Sequence, residues 1–228
     1  MRKLVIPDIH GCAKTLIELL HKIGLNKTDE LYFLGDYIDK GRDSAGVIDT
    51  ILSLKESQYQ LYTLRGNHEE NLIEAYYHYN PTLFQYFVAN VNKSANLLDD
   101  KGALKTKYLN FFNDLPYYFE LDDFWLVHAG FDTKKENVFA SKQKMLEIRG
   151  FTYDELKLKN KTVVHGHQVT HLNIVETAIK NRSKIIPLDN GCVYTSPHHL
   201  HDYKQLANLV CLDLSTFNYF IQPNIDGD

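Results

Sequence analysis

The chain has 228 residues, of which 44% are hydrophobic and 24% are charged, which is typical of globular domains and unlike disordered or collagen-like chains. The formal charge of −4 provides no basic field for nucleic acid, and no stretch approaches the ~18 apolar residues that cross a bilayer. The first residues lead directly into a short apolar run, so we expect no signal peptide. Three widely spaced cysteines, Cys12, Cys192 and Cys211, suggest neither a disulfide framework nor a structural zinc site. We therefore expect one cytoplasmic domain over residues 1–228, with no nucleic-acid or membrane partner.

The first third of the chain alternates short apolar runs with helical patterns. The strand-like runs are Leu4–Ile6, Leu31–Leu34 and Gln60–Leu64, and the helix-like segments between them are Leu16–Ile23 and Ala45–Leu54. This βαβαβ pattern predicts parallel strands, whose carboxyl ends meet at one edge of a sheet, where a site forms.

From residue 71 to about residue 114 the pattern is helical and rich in Tyr and Phe. We interpret this stretch as a helical elaboration that covers one side of the domain. Aromatic residues at helical spacing usually belong to the core, although a surface that stacks on nucleobases is the alternative.

Short strand-like runs resume after the elaboration and predict a second sheet packed on the first. These runs are Tyr117–Leu121, Phe124–Val127, Thr162–Val164, Asn173–Val175, Lys184–Leu188, Leu209–Leu212 and Tyr219–Ile221. We expect the tail, residues 224–228, to be frayed.

Residues capable of binding metals follow several of the predicted strands directly. The segments are Asp8-Ile9-His10-Gly11, Gly35-Asp36-Tyr37-Ile38-Asp39-Lys40-Gly41, Arg65-Gly66-Asn67-His68-Glu69, His128-Ala129-Gly130 and His165-Gly166-His167. Any one of them alone would more often be a turn or a helix cap, but five in order at strand ends favour a shared site. Carboxylate and amide oxygens mixed with imidazoles suit manganese, iron or zinc, and we expect a centre of two metals bridged by Asp36.

The ordered motifs resemble those of the phosphoprotein phosphatase family of calcineurin-like metallophosphoesterases, particularly its compact bacterial and phage-type branch. The family motifs G-D-x-H-G, G-D-x-V-D-R-G, G-N-H-E, H-(G/A)-G and a late G-H are matched between Ile6 and Val193. The resemblance implies an α/β fold in which two mixed sheets form a β-sandwich flanked by helices. It also implies hydrolysis of phosphomonoesters, with phosphoserine or phosphothreonine proteins as the first candidate substrates and small phosphoesters as others.

The resemblance further implies a role for each site residue, with two divalent cations as cofactors and manganese as the first expectation. The implied metal ligands are Asp8 and His10 on one metal, Asn67, His128 and His167 on the other, and Asp36 between the two. A hydroxide that bridges the metals is the implied nucleophile. His68, oriented by Asp39, is the implied general acid, because a His paired with a carboxylate carries a proton near neutral pH. His165 lies outside the family pattern and is expected to be structural.

Three cationic residues match or approach positions that bind phosphate in the family. Arg65 precedes the Gly-Asn-His-Glu motif, Arg149 resembles a later clamp arginine, and Lys40 replaces the usual Arg. Lys lacks the bidentate fork of Arg but keeps its charge. Two further departures are Pro7 in place of Gly, which leaves the next ligand intact, and Glu147 in place of Trp.

The late segment Tyr194–Leu206 departs from the family pattern as an insert. We interpret it as a loop at the rim of the site, with His198, His199 and His201 facing solvent. The alternative enzyme is a symmetrical dinucleoside polyphosphate hydrolase, typified by diadenosine tetraphosphate hydrolysis. A non-catalytic binding module is the alternative of another class, but such a protein would have lost metal ligands, and all six positions are filled.

Overall fold

The computed structural model describes residues 1–195 and 205–227, in which two mixed sheets pack against each other between helices. The strands are β1 (Lys3–Ile6), β2 (Glu30–Phe33), β3 (Gln60–Thr63), β4 (Tyr118–Glu120), β5 (Phe124–Val127), β6 (Thr162–His165), β7 (Ile185–Pro187), β8 (Asn208–Asp213) and β9 (Tyr219–Pro223). The helices are α1 (Ala13–Lys22), α2 (Ser44–Glu56), α3 (Asn67–His78), α4 (Pro81–Tyr86), α5 (Thr106–Asn113), α6 (Lys142–Glu147) and α7 (Leu172–Lys180). A π-helical turn at Phe87–Val91 and a 3₁₀ turn at Ala95–Leu97 lie between α4 and α5. None of the described helices has the length and apolarity that a membrane span requires.

The two sheets differ in how their strands are joined. The first has the order β3-β2-β1-β8-β9, in which β1 to β3 run parallel and β8 and β9 are antiparallel to their neighbours. The second has the order β4-β5-β6-β7, with β5 to β7 parallel and β4 antiparallel at its edge. Strands from the end of the chain therefore complete the first sheet, and the predicted sandwich of two mixed sheets is confirmed.

Side-chain alternation along β1 explains the layers. Leu4 and Ile6 face α1 and α2, whereas Val5 points the other way and packs with Leu126 and Val164 of the second sheet. All five side chains are fully buried, and each contributes about 1.5–3 kcal/mol relative to exposure. A strand buried on both faces reads as a continuous apolar run, which is why the short run at the N-terminus predicts a strand.

The predicted helical elaboration contains α3, α4 and α5 together with the two irregular turns. The core interpretation of its aromatic residues is confirmed for Phe84, Tyr108 and Phe112, which join the cluster beneath the first sheet. It is wrong for four exposed tyrosines, Tyr76, Tyr77, Tyr79 and Tyr86, of which Tyr77 and Tyr86 are 61% and 59% exposed.

The predicted strand at Asn173–Val175 is wrong, because this segment belongs to helix α7. Val175 and Ile179 are buried and lie four residues apart, which is the spacing of one helical face. A three-residue segment with two apolar residues is too short to distinguish a strand from part of a helix.

The tail is ordered through residue 227 rather than frayed. The Asp226 carboxylate accepts hydrogen bonds from the backbone N–H groups of Lys14 and Thr15 at 3.0 and 2.9 Å and from the Thr15 hydroxyl at 2.6 Å. The N-cap residue of α1, Cys12, makes no side-chain hydrogen bond to the helix. The tail therefore accepts hydrogen bonds from backbone N–H groups that the first turn of α1 leaves without a partner. The sequence gives no local sign of a cap supplied from 211 residues away.

Candidate metal centre

The residues predicted to bind metal converge at one end of the sandwich, where the carboxyl ends of the parallel strands of both sheets lie close together. Asp8 follows β1, Asp36 follows β2, Asn67 begins α3 after β3, His128 follows β5, and His167 follows β6. The carboxyl ends of parallel strands meet at one edge, and packing of the sheets brings the two edges together. The structure thus gathers ligand-type side chains that the sequence separates by up to 159 residues.

Asp36 lies at the middle of this cluster and faces a histidine on each side. Its Oδ2 is 3.5 Å from Nε2 of His10, and its Oδ1 is 3.5 Å from Nε2 of His128. Within residues 1–195 and 205–227, two groups of side chains have ligand atoms within 4.8 Å of one another and could each hold a metal ion. They are His10, Asp36 and His68, and Asp36, His128 and His167. Asp36 is common to both, which is the arrangement that a bridging carboxylate needs.

Backbone carbonyls fix the orientation of the two histidines beside Asp36. Nδ1 of His10 lies 2.8 Å from the carbonyl oxygen of Ile38, and Nδ1 of His128 lies 2.9 Å from that of Leu34. A carbonyl can only accept, so Nδ1 carries the hydrogen in both rings and Nε2 keeps its lone pair. Burial lowers the pKa of both imidazoles, and Lys40 lowers that of His10 further, so both rings are neutral.

The second histidine group includes an amide oxygen. Oδ1 of Asn67 lies 3.1 Å from Nε2 of His128 and 3.0 Å from Nδ1 of His167. Burial and the neighbouring His128 lower the pKa of His167 to about 4. A neutral imidazole, an amide oxygen and a carboxylate oxygen therefore point at a common space, which is a donor set for a divalent transition metal.

Lone pairs that face each other across this cluster favour a cation. The Nε2 atoms of His10 and His128 both face Asp36 oxygens, and neither side of these contacts has a proton to donate. The ammonium of Lys40 lies 2.8 Å from Nε2 of His10, so a positive charge already occupies one side of the cluster. The residues present fit divalent metal ions.

The buried carboxylates of the cluster also favour a bound cation. Asp8, Asp36 and Asp189 are each only 2% exposed. Burial, and next the carboxylates of Asp189 and Asp36, raise the pKa of Asp8 well above its usual range. Burial raises the pKa of Asp189 to about 6, with Asp36 adding to it. Buried carboxylates are stable when paired with cations or metals, and the sequence analysis did not identify Asp189 as part of this cluster.

Two glycines allow the backbone to approach the carboxylates. A Cβ on Gly66 would lie 2.1 Å from Oδ1 of Asp36, and a Cβ on Gly166 would lie 2.1 Å from Oδ1 of Asp8. Beside these glycines, the backbone N–H of His68 donates to Asp36 at 3.1 Å, and that of His167 donates to Asp8 at 3.0 Å. Both carboxylates are held by hydrogen bonds that any larger residue would displace.

Glu69 positions the site, a role that the sequence analysis did not assign. Its fully buried carboxylate accepts hydrogen bonds from the backbone N–H groups of Asp36 at 2.9 Å, Tyr37 at 2.9 Å and Gly66 at 3.0 Å. It therefore ties the loop after β2 to the start of α3. Its position at N3 of the helix is half of a capping box, and that pattern was the available signal.

His68 and Asp39 form the predicted pair. Nδ1 of His68 lies 2.7 Å from Oδ2 of Asp39, which leaves Nε2 directed at the centre, 3.9 Å from Oδ2 of Asp36. Burial opposes a charged ring, but Asp36 and Asp39 outweigh it and raise the pKa of His68. Ser94 donates to the other Asp39 oxygen at 2.8 Å, and the sequence analysis missed this contact from the helical elaboration.

Among the residues predicted to bind phosphate, Arg65 is occupied elsewhere. Its guanidinium lies 2.6 Å from a Glu70 oxygen and donates to the Phe112 carbonyl at 3.0 Å. Lys40 is an exposed residue whose ammonium contacts His10 at one side of the cluster, and Arg149 is exposed and close enough to lower the pKa of His167 slightly. The phosphate-binding roles of all three remain predictions.

His165 lies apart from both metal-binding groups of the described residues. It is buried, with Nδ1 3.0 Å from the Gly166 carbonyl oxygen, and burial lowers its pKa to about 4. The predictions for His198, His199 and His201 lie outside the described residues.

Comparison with known proteins agrees with this geometry. The family model for calcineurin-like phosphoesterases matches residues 1–212. A curated relative from Oceanobacillus iheyensis, the asymmetrical bis(5'-nucleosyl)-tetraphosphatase PrpE, is 24% identical over 213 residues, which cover 83% of this chain and 84% of the relative.

Solved structures share the fold at lower identity. A proposed diadenosine tetraphosphatase superposes with a TM-score of 0.63 at 20% identity and covers 99% of this chain and 95% of its own. A protein serine/threonine phosphatase from Saccharomyces cerevisiae, described as similar to human PP5, superposes with a TM-score of 0.57 at 17% identity and covers 97% of this chain and 79% of its own. Neighbours of the same fold thus carry names from two different substrate classes.

A comparison of Asp36→Asn with His68→Asn tests the metal assignment. We expect the wild type to bind two Mn²⁺ ions per chain and Asp36→Asn to retain at most one, because the amide nitrogen cannot ligate a second metal. His68→Asn should retain two, because its ring is held by Asp39 for proton transfer. The metal content of each variant after dialysis, measured by plasma emission spectroscopy, checks both expectations. Loss of a metal from the His68→Asn variant would show that His68 is a metal ligand.

Glu69→Gln should loosen the centre without removing any ligand. The amide would place a donor against backbone N–H groups, and an unsatisfied buried donor costs about 1–3 kcal/mol. We expect weaker Mn²⁺ binding by calorimetry and a lower free energy of unfolding in urea. Glu70→Gln, at the next position on α3 and bonded to Arg65, is the matched control and should leave Mn²⁺ affinity unchanged. Equal Mn²⁺ affinity of both variants and the wild type would contradict the positioning role.

Proposed function

Because the chain belongs to the calcineurin-like phosphoesterase family, we propose that its candidate metal centre hydrolyses dinucleoside polyphosphates with two divalent cations. The chain is a metallophosphoesterase, and the substrate is the proposed part. The observation that carries the proposal is that Asp36 is shared by two groups of ligand-type side chains, one of which includes His68, whose Nδ1 is held by Asp39.

Six residues would hold the two cations, as the sequence predicts. They are Asp8, His10, Asp36, Asn67, His128 and His167. Asp8, whose Oδ2 lies 3.9 Å from Nε2 of His10, takes the place of His68 in this set, because Asp39 holds the His68 ring for proton transfer. When bound, the cations activate water and offset the negative charge of the phosphate. Manganese, iron and zinc all accept this mixture of oxygen and nitrogen donors, and manganese is our first choice.

His68 would supply the proton for the leaving group. Asp39 accepts a hydrogen bond from Nδ1, fixes the ring and favours its protonated form, while Nε2 faces the centre. Ser94 holds Asp39 in turn. A protonated imidazole at this position can transfer its Nε2 proton to the departing oxygen.

Lys40 and Arg149 suit the phosphate better than Arg65 does. The Arg65 guanidinium would have to release Glu70 and a backbone carbonyl before it could bind phosphate. A divalent cation beside His10 would repel the Lys40 ammonium from its present place and free it for a phosphate oxygen. We therefore assign Arg65 to support of the fold and keep Lys40 and Arg149 as phosphate ligands.

The relatives guide the choice of substrate. The name of the Oceanobacillus iheyensis relative specifies asymmetrical cleavage, which yields a nucleoside triphosphate and a monophosphate, instead of the symmetrical cleavage considered from the sequence. Phosphoserine and phosphothreonine proteins are the second candidate class, favoured by the fold shared with the yeast phosphatase. The single domain and the cytoplasmic location remain predictions.

Product analysis distinguishes the candidate substrates. With Mn²⁺ we expect diadenosine tetraphosphate to give ATP and AMP, with a higher kcat/KM than a phosphoserine or phosphothreonine peptide. Chromatography of the nucleotides and release of inorganic phosphate measure the two reactions. ADP as the sole product would contradict asymmetrical cleavage, and a higher kcat/KM on the peptides would favour the protein phosphatase.

His68→Asn tests the proton donor through the leaving group. General acid catalysis contributes about 10²–10⁴-fold when the leaving oxygen needs a proton. We expect a loss of this size on phenyl phosphate and a much smaller loss on p-nitrophenyl phosphate, whose leaving group departs as an anion. An equal loss in kcat on both aryl phosphates would contradict the acid role.

A further inference from the structure

A cleft of about 490 Å³ opens next to the proton donor. Its lining is formed by the His68–Asp39 pair with Lys40, by residues of the helical elaboration, and by Val193 with Tyr194, the first residue of the insert. The lining residues are Asp39, Lys40, His68, Val91, Asn92, Lys93, Val193 and Tyr194. Its volume is within the range of small-molecule sites.

The position of His68 indicates which part of a substrate enters the cleft. A general acid must lie within hydrogen-bond reach of the oxygen that it protonates. Since Asp39 holds the ring of His68 at the wall of this cleft, the departing oxygen lies at its mouth. The rest of the leaving group then extends into the cleft.

The lining favours a leaving group that is both anionic and planar. Lys40 and Lys93 contribute two ammonium groups, and both residues are exposed. Tyr194 contributes a half-buried aromatic ring, whose centroid is 5.6 Å from the Lys40 ammonium. Val91 and Val193 complete an apolar wall. A phosphate chain that ends in a nucleoside matches this combination, because it has negative charges next to a flat base.

We propose that this cleft is the leaving-group subsite and that it selects a nucleoside polyphosphate. Lys93 and Lys40 bind the phosphate chain, and Tyr194 packs against the nucleoside. The inference rests on the proposed function, which it deepens by assigning the residues that set substrate choice.

The fold builds this cleft with the same turn that fixes the acid pair. The backbone N–H of Asn92 donates to the Phe87 carbonyl at 3.0 Å, a five-residue spacing that widens the helix into a π-turn. Lys93 follows in a left-handed conformation, with φ of 58°, and Ser94 then donates to Asp39. π-turns inside helices are frequent at functional sites. The helical elaboration thus links the proton donor to the cations of the subsite.

The reaction needs only water as a co-reactant. The water oxygen forms a new bond to one phosphorus, and the bond from that phosphorus to a bridging oxygen breaks. The bridging oxygen leaves on the nucleotide held in the cleft and takes the proton of His68, while the water proton passes to solvent. One nucleoside triphosphate and one nucleoside monophosphate result.

The ratio of kcat/KM for two substrates, measured in variants of Lys93 and Tyr194, tests the subsite. Lys93→Ala and Tyr194→Leu should lower kcat/KM for diadenosine tetraphosphate at least about fivefold more than for p-nitrophenyl phosphate, which has neither a phosphate chain nor a nucleoside. The effect should fall mainly on KM, and inhibition of p-nitrophenyl phosphate hydrolysis by ATP should weaken in parallel. Lys93→Arg and Tyr194→Phe keep the charge and the ring and should retain most of the preference. Lys134→Ala, in a groove formed by residues 132–156, is the matched control and should change neither substrate.

The outcomes separate the subsite from the proposed function. If the wild type cleaves p-nitrophenyl phosphate but not diadenosine tetraphosphate, the proposed substrate is wrong and the subsite is overturned with it. If the wild type cleaves both and the ratio is unchanged in Lys93→Ala and Tyr194→Leu, the subsite is wrong and the proposed function stands. A selective loss on the dinucleotide, with ATP inhibition weakened, supports both.

Discussion

Negative charge buried where the two sheets meet is the constraint on which the site depends. Asp8, Asp36 and Asp189 lie in one cluster almost free of solvent, and carboxylates in such surroundings are stable only beside positive charge. The neutral imidazoles of His10 and His128 do not supply it, because carbonyls hold their Nδ1 hydrogens away from the cluster, and the Lys40 ammonium provides one positive charge beside three carboxylates. Without a metal, the buried carboxylates and the Nε2 lone pairs face one another unfavourably. The same groups are oriented so that they would bind a metal ion placed between them.

Residues outside the ligand set hold this arrangement in place. Glu69 joins the loop after β2 to the start of α3 through three backbone N–H groups, and it therefore orients Asp36 and His68 together. Ser94 does the same for Asp39 from the helical elaboration. Positioning groups of this kind keep a site close to its productive geometry, which ligands alone on flexible loops would not do.

The sequence allowed the convergence of the candidate ligands to be predicted because they follow strands, and the carboxyl ends of parallel strands bring such positions together. The same rule applies to Asp189, which follows β7, although its place in the cluster was missed. Ser94 could not be identified in this way, because it lies in the helical elaboration, 55 residues from its partner Asp39. Arg65 shows a different limit. Its motif predicts phosphate binding, but Glu70, five residues further along the chain, occupies its guanidinium, and the motif letters do not show which residue the guanidinium contacts. The prediction of a strand at Asn173–Val175 failed because its two adjacent apolar residues fit the period of a strand and that of a helix equally well.

A crystal soaked in Mn²⁺ tests the central claim most directly. Anomalous difference maps should give two peaks, about 3.5–4 Å apart, with one Asp36 oxygen directed at each. The first peak should also contact His10, and the second should contact His128. A single peak, or two peaks of which only one contacts Asp36, would contradict the account.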